Sequence, residues 1–160
     1  MTIEKARKKD VQILTDLTMR SKSYWEYSTE QIKSWKDDLT ITSAYINKYE
    51  VYKLTINKNI IIGYYSYMFL NDAIIKLDNL FIDPRYMGKG FGTLLMDEFL
   101  KRIKTLLLEK VTLDADPNAE KFYHKFGFKT VGKLKSTIEN RFLPIMELKI
   151  SKTATEIESN

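Results

Sequence analysis

Apolar positions along the chain change their period several times, and each change marks an element. Thr2 to Ala6 reads as a short first strand. After Asp10, which can cap a helix, Ile13, Leu14 and Leu17 recur at helical spacing on one face. A second helix is predicted from Ser28. Ser28 and Gln31 have capping-box spacing, and Ile32, Trp35 and Leu39 follow at i, i+3 and i+7. The period then falls to two: Tyr52, Leu54 and Ile56 alternate with Val51, Lys53 and Thr55. Asn57-Lys58-Asn59 supplies a turn, Ile60 to Leu70 is rich in Ile and Tyr, and Asn71-Asp72 turns into Ala73 to Asp83. Links this short predict an antiparallel meander, which Pro84 ends.

From Phe91 the helical pattern returns, with Phe91, Leu95, Phe99 and Ile103 every four residues. Asp97 with Lys101 and Glu98 with Arg102 form i, i+4 pairs expected on the wet face of that helix. Lys110 to Ala115 is a further strand. It leads to a short helix with Asp116 as cap, Pro117 in the first turn and Gly127 at the stop. Two closing strands lie near Phe128 to Leu134 and Phe142 to Ile150, where Pro144 points to a sheet edge or a strand start. The polar run Ser151 to Asn160 reads as a flexible tail after one alternating α/β domain over residues 1–150.

Composition removes several function classes. The 160 residues contain no Cys, which excludes a disulfide scaffold, a Cys nucleophile and a thiolate metal site. His124 is the only histidine, so His-bearing triads and His-rich metal sites have little to build on, and no metal is expected. The 26 Lys plus Arg against 21 Asp plus Glu give a net charge of +5. These charges are interspersed along the chain, and neither RNA-recognition aromatics nor helix-turn-helix spacing accompanies them, so a solvated surface is expected rather than a nucleic-acid partner. The longest charge-free stretch, Asn59 to Asn71, is too short to span a bilayer, and no signal-like segment opens the chain. A cytoplasmic protein with no membrane partner is the expectation.

The densest chemistry lies in Arg85-Tyr86-Met87-Gly88-Lys89-Gly90-Phe91-Gly92, between a strand and a helix. Three glycines remove side chains where a helix begins, so backbone N–H groups can approach an anion and the helix dipole favours its charge. Arg85 and Lys89 would add charge-assisted contacts to phosphate. The Gly-x-Gly-x-Gly spacing matches neither the dinucleotide fingerprint nor the Walker loop, and taken alone a plain helix start explains it equally well.

Its context is more specific. Leu77-Asp78-Asn79-Leu80-Phe81-Ile82-Asp83-Pro84 followed by Arg85-x-x-Gly88-x-Gly90 resembles the coenzyme A motif of the GNAT superfamily of acyl-CoA-dependent N-acyltransferases. About thirty residues on, Ala119-Glu120-Lys121-Phe122-Tyr123-His124-Lys125-Phe126-Gly127-Phe128 resembles that family's second hallmark, Ala-x-x-Phe-Tyr-x-x-x-Gly-Phe. The resemblance extends in element order over residues 1–150. It implies an α/β (α+β) fold with a mixed, mostly antiparallel sheet of six or seven strands, splayed between the fourth and fifth and flanked by about four helices. Acetyl-CoA would lie in the splay as cosubstrate. The main chain of Leu80, Phe81 and Ile82 would pair with the pantetheine arm, and the turn of Arg85, Tyr86, Met87, Gly88, Lys89, Gly90, Phe91, Gly92 and Thr93 would hold the pyrophosphate. Asn118 would contact the cofactor, and Tyr123 would stand near the thioester sulfur.

The chemistry asks for such groups. An alkyl ammonium of pKa ~10.4 must lose a proton before it attacks a thioester, and a departing thiolate is served by a phenol of pKa ~10. Tyr123 suits the acid role on the resemblance, although spacing alone makes it a structural helix residue beside Ala119, Phe122 and Phe126. A developing oxyanion calls for a backbone N–H near Leu80 or Phe81. For the proton acceptor, Asp78, Asp114, Asp116 and a water relay stay open, Asp116 being equally explained as the helix cap. His124, about 100° round the helix from Tyr123, reads as a packing or surface residue. Tyr24, Trp25, Tyr27 and the Ser136 to Arg141 loop are candidate walls for the acceptor. The expected activity is direct N-acetyl transfer to a primary amine of a small molecule or peptide, by a monomer or homodimer. A non-catalytic acyl-CoA sensor is the alternative.

Overall fold

The computed structural model describes residues 1–25, 27–136 and 141–150. Glu26, residues 137–140 of the candidate acceptor loop and the expected tail at 151–160 lie outside the described residues. In chain order the elements are β1 (Thr2–Lys5), α1 (Val11–Tyr24), α2 (Thr29–Ser34), α3 (Lys36–Leu39), α4 (Ser43–Lys48), β2 (Glu50–Ile56), β3 (Ile60–Phe69) and β4 (Ile74–Ile82). They continue with α5 (Phe91–Ile103), β5 (Lys110–Asp114), α6 (Glu120–Lys125), β6 (Lys129–Lys135) and β7 (Phe142–Lys149). The fold is mixed α/β, with hydrogen-bonded strand order β1-β2-β3-β4-β5-β7-β6. β4 and β5 are parallel, and their register covers only Ile74–Lys76 with Lys110–Thr112. Leu80 and Ile82 lie beyond that short ladder.

The chain forms two compact units, and β4 contributes to both. The first contains residues 1–68 and 78–102. Its core gathers Leu14 and Leu17 of α1, Ile46 of α4, Val51 of β2, and Ile61 and Tyr64 of β3, with Tyr45 and Phe81 packed against them. On β2 and β3 a second set of aromatics stacks: Tyr52 on Tyr65 at 5.4 Å and Tyr65 on Tyr67 at 6.4 Å, while Phe99 of α5 lies 5.4 Å from both Tyr65 and Tyr67.

Several local expectations are corrected here. Asp10 does not cap α1. Its carboxylate accepts from the Arg7 amide at 2.8 Å and pairs with Lys53 Nζ at 2.8 Å, both charged groups being buried. A buried cation on β2 claims that carboxylate more strongly than an exposed helix start can. Ile13 is 45% exposed and does not share the inward face of Leu14 and Leu17. The Ser28–Gln31 capping box forms as expected, but the helix it opens ends at Trp35 and two further short helices follow it. The last of these, α4, starts at Thr42, whose hydroxyl accepts from the Tyr45 amide at 3.1 Å. The Glu98–Arg102 pair forms but not on a wet face. Arg102 stands 3.8 Å over the Tyr52 ring and donates to the Tyr65 hydroxyl at 3.1 Å, and that hydroxyl donates to Glu98.

The second unit contains residues 69–77 and the chain from Ile103 onward. β7 lies between β5 and β6, antiparallel to each. Pro144 therefore sits near the start of an interior strand and not at the sheet edge. Gly127 ends α6 in the left-handed region at φ +92°, with its N–H bonded to the His124 carbonyl at 3.0 Å. Tyr123 is the buried residue of α6, whereas Phe122 and Phe126, expected as its core positions, are only half-buried.

Candidate active site

The glycine turn is built from its first residue. Asp83 ends β4 with its N–H on the Ile62 carbonyl at 2.8 Å, and its carboxylate caps the turn Pro84–Tyr86 by accepting the Arg85 amide at 3.0 Å. The same carboxylate, 1% exposed, accepts from Arg85 Nε at 3.1 Å, from Arg85 Nη2 at 2.8 Å and from Arg20 Nη2 of α1 at 2.8 Å. Hydrogen bonds from Arg85, and after them those from Arg20, hold this carboxyl well below the usual carboxylate range against the opposing effect of burial. Two guanidinium groups face one carboxylate, so the turn keeps a positive balance. Sequence reading passed over Asp83, though an Asp-Pro pair at a strand end is a capping signal.

Beyond it the backbone changes hand. Gly88 and Gly90 have φ of +73° and +87°, a region that favours glycine, and a Cβ at either would have open space around it. The amides of Tyr86 and Met87 are used inside the turn, bonding to the Asp83 and Pro84 carbonyls. Among the described residues the amides from Gly88 to Thr93 have no hydrogen-bond partner. They precede and open α5, a 13-residue helix whose positive dipole end lies there. Gly92 and Thr93 belong to its first turn. Lys89 Nζ lies 5.7 Å over the Tyr86 ring, and Tyr86 meets Phe91 edge-on at 6.2 Å.

Asp78, also in the first unit, is held by residues that spacing could not reveal. Its Oδ2 accepts a hydrogen bond from the Tyr45 hydroxyl of α4 and another from Asn79 Nδ2 at 3.5 Å. Asn79 Nδ2 also reaches the Tyr45 hydroxyl and Ser66 Oγ, each at 3.0 Å, and these two hydroxyls are 2.7 Å apart. Of the aromatic wall, Tyr24 is 55% exposed and meets Trp25 edge-on at 5.1 Å. Tyr27 instead packs on Trp35 at 5.0 Å, and Lys22 Nζ lies 5.9 Å over Trp35 and 5.8 Å over Phe81. The three residues proposed as one wall thus fall into two pairs, and only Tyr27 joins the cluster that includes β4.

In the second unit Tyr123 packs edge-on against Phe122 at 5.3 Å and Phe128 at 5.8 Å. Burial, and after it the charge of Asp116, pushes its phenol up, so it stays protonated far past neutrality. No hydrogen bond to its hydroxyl occurs among the described residues. Asp116 is committed to structure: it accepts from the Asn118 amide and from Asn118 Nδ2, each at 2.9 Å, and pairs with Arg141 at 3.1 Å. Asp114 pairs with Lys76 at 3.3 Å. His124 Nδ1 lies 2.9 Å from the Phe128 carbonyl at the end of α6, in keeping with a packing residue. No group of three or more acidic or histidine side chains among the described residues is placed to hold a metal ion, and no described helix is long and apolar enough to cross a membrane.

Solved structures share the fold at low sequence identity. The PaiA N-acetyltransferase of Thermoplasma acidophilum, in complex with coenzyme A, superposes with a TM-score of 0.75 at 22% identity, over 94% of this chain and 100% of that one. The ribosomal-protein-S18-alanine N-acetyltransferase of Escherichia coli gives 0.71 at 19%, over 96% of each chain. A GNAT family acetyltransferase of Elizabethkingia anophelis with acetyl-CoA bound gives 0.66 at 18%, over 93% and 97%. In sequence, the uncharacterized N-acetyltransferase YafP of Escherichia coli (strain K12) is 28% identical over 106 residues, 66% of this chain and 63% of that relative. The chain therefore spans somewhat less than two thirds of that relative's length. The acetyltransferase (GNAT) domain model matches residues 24–150, which takes in the glycine turn, Asp78 and Tyr123, and the chain belongs to that family.

Proposed function

We propose that the protein is an N-acetyltransferase that moves an acetyl group from acetyl-CoA directly to a primary amine of a small molecule or peptide. The observation that carries this is the run of amides from Gly88 to Thr93 at the head of α5, unpartnered among the described residues, with Arg85 before it and Lys89 within it. Left-handed glycines, a helix N-terminus and net positive charge suit a diphosphate. The main chain of Leu80 to Ile82, outside the parallel ladder, suits an extended amide-bearing arm.

Acetyl-CoA supplies the activated acetyl group and a thiolate leaving group. The chain supplies the proton transfers. Asp78 takes a proton from the acceptor ammonium, so that the free amine forms the new C–N bond as the C–S bond breaks. The Tyr123 hydroxyl gives its proton to the departing sulfur and regains one from the nitrogen as the amide forms, so one proton is released overall. Its raised pKa keeps the donor form available at neutral pH. Tyr24, Trp25 and Tyr27 offer the aromatic surface for the acceptor, and Asn118 a polar contact for the cosubstrate.

The test is thiol release over a panel of small amines and peptides. Tyr123→Phe should keep the coenzyme A binding heat and lose about 10²-fold in kcat, the lower end of what a general acid contributes. Because no described residue hydrogen-bonds the phenol, the change strands no known partner and the variant should fold normally. Stabilisation by coenzyme A without turnover on any amine would favour the sensor, and no binding heat at millimolar coenzyme A would sink the assignment.

A further inference from the structure

The two oxygens of Asp78 are not equivalent. Oδ2 is taken by Tyr45 and Asn79, whereas Oδ1 has no hydrogen-bond partner among the described residues. The count of protons around Tyr45 fixes the sense of the network. A carboxylate only accepts, so the single phenolic proton points at Asp78. The Tyr45 oxygen is then the acceptor for Asn79 Nδ2 at 3.0 Å and for the Ser66 hydroxyl at 2.7 Å. Two donors behind the phenol oxygen polarise it toward the carboxylate, an arrangement in which each bond strengthens the next. Ser66 is fully buried, away from bulk solvent. Tyr64 is engaged with Thr18 Oγ1 at 2.5 Å and cannot replace Tyr45.

Rotation of a carboxylate about its last torsion is soft and nearly two-fold, so an untethered Asp78 would present either oxygen in a spread of directions. We infer that Tyr45, backed by Ser66 and Asn79, is the positioning residue of proton acceptance: it fixes Asp78 through Oδ2 and leaves Oδ1 as the oxygen that meets the acceptor ammonium. This rests on the acetyl-transfer reading above. It adds a residue from α4, an element that carries none of the family-like motifs and that the periodicity of the sequence did not indicate.

The experiment is a double-mutant cycle on thiol release. Tyr45→Phe should lower kcat about tenfold and leave KM for acetyl-CoA within twofold, because the diphosphate turn is untouched. In an Asp78→Asn background the same change should cost less than twofold further, since the carboxylate it aims is gone. Ser66→Ala, which keeps the packing and removes one donor behind the phenol, should give a smaller loss in the same direction and guards against a misfolded Tyr45 variant. A strongly downfield hydroxyl proton resonance should be present in the wild type and absent from Tyr45→Phe and Asp78→Asn. Wild-type turnover in Tyr45→Phe, or an equal loss with and without the Asp78 carboxylate, overturns the Tyr45 assignment alone. If the wild type releases no thiol with any amine, the acetyl-transfer reading falls and takes this one with it.

Discussion

At the scale of single residues, Asp83 does more than its place in a motif suggests. One buried carboxylate ends a strand, caps the turn after it and holds Arg85 and Arg20. Since its folded-state pKa is lowered, its stabilisation is present in full above the ordinary carboxylate value of ~3.9 and is lost as pH falls through the depressed folded value. Asp83→Asn should cost about 1.5–3 kcal/mol at pH 7, the range for hydrogen bonds to a charged group. The gap from wild type should narrow on acidification below pH ~4. Thermal unfolding at neutral and acidic pH checks both. Spacing exposed the glycines, Arg85 and Tyr123 because those residues act through backbone freedom or through a contiguous pattern. It missed Tyr45, which meets Asp78 from 33 residues away, and Ser66, which reaches that carboxylate only through Tyr45 and Asn79. It also miscast Asp10, since a buried Lys53 on β2 cannot be foreseen from the helix it precedes.

Among the elements, β4 is set by a close approach. A Cβ built at Gly63 of β3 would lie 2.6 Å from Ile82 Cδ1, 2.9 Å from the Phe81 carbonyl oxygen and 3.2 Å from Leu95 Cδ1 of α5. The backbone oxygen cannot move without moving the strand. The register of β2 on β3 shifts between Leu54 and Thr55, beside the pairing of Leu54 with Gly63. Gly63→Ala should therefore destabilise by about 1–3 kcal/mol, as overpacking does. Urea unfolding should show a lower midpoint at unchanged m-value, and coenzyme A should bind with weaker affinity because Ile82 leads directly into Asp83 and the turn. Elements of strong period were legible at nearly their true bounds, α5 and the β2–β4 meander above all. The α2–α4 region was not: three helices of six, four and six residues draw their order from packing on α1 and β2, so their own period is too short to announce them.

Over the whole molecule, tyrosine is the unusual component, with 10 of 160 residues. Burial is the leading cause that raises Tyr45, Tyr52, Tyr64, Tyr65 and Tyr123, and it pushes Tyr67 up to about 12. A raised folded-state value means that this stabilisation is complete below pH ~10 and fades as pH climbs through the folded values. Alkaline titration should thus show only a small early rise in tyrosinate absorbance, because these buried rings resist ionisation. A larger cooperative step should follow, coincident with loss of circular dichroism; smooth titration of every ring with structure intact would contradict the burial described. The sharing of β4, with Ile74–Leu77 in one unit and Asp78–Ile82 in the other, has a consequence for recombination. Neither unit is an uninterrupted stretch of gene, so swapping one between homologues requires three crossovers, after Met68, Leu77 and Arg102, the second of them inside a strand. A chimera made by a single splice would leave at least one unit assembled from two parents.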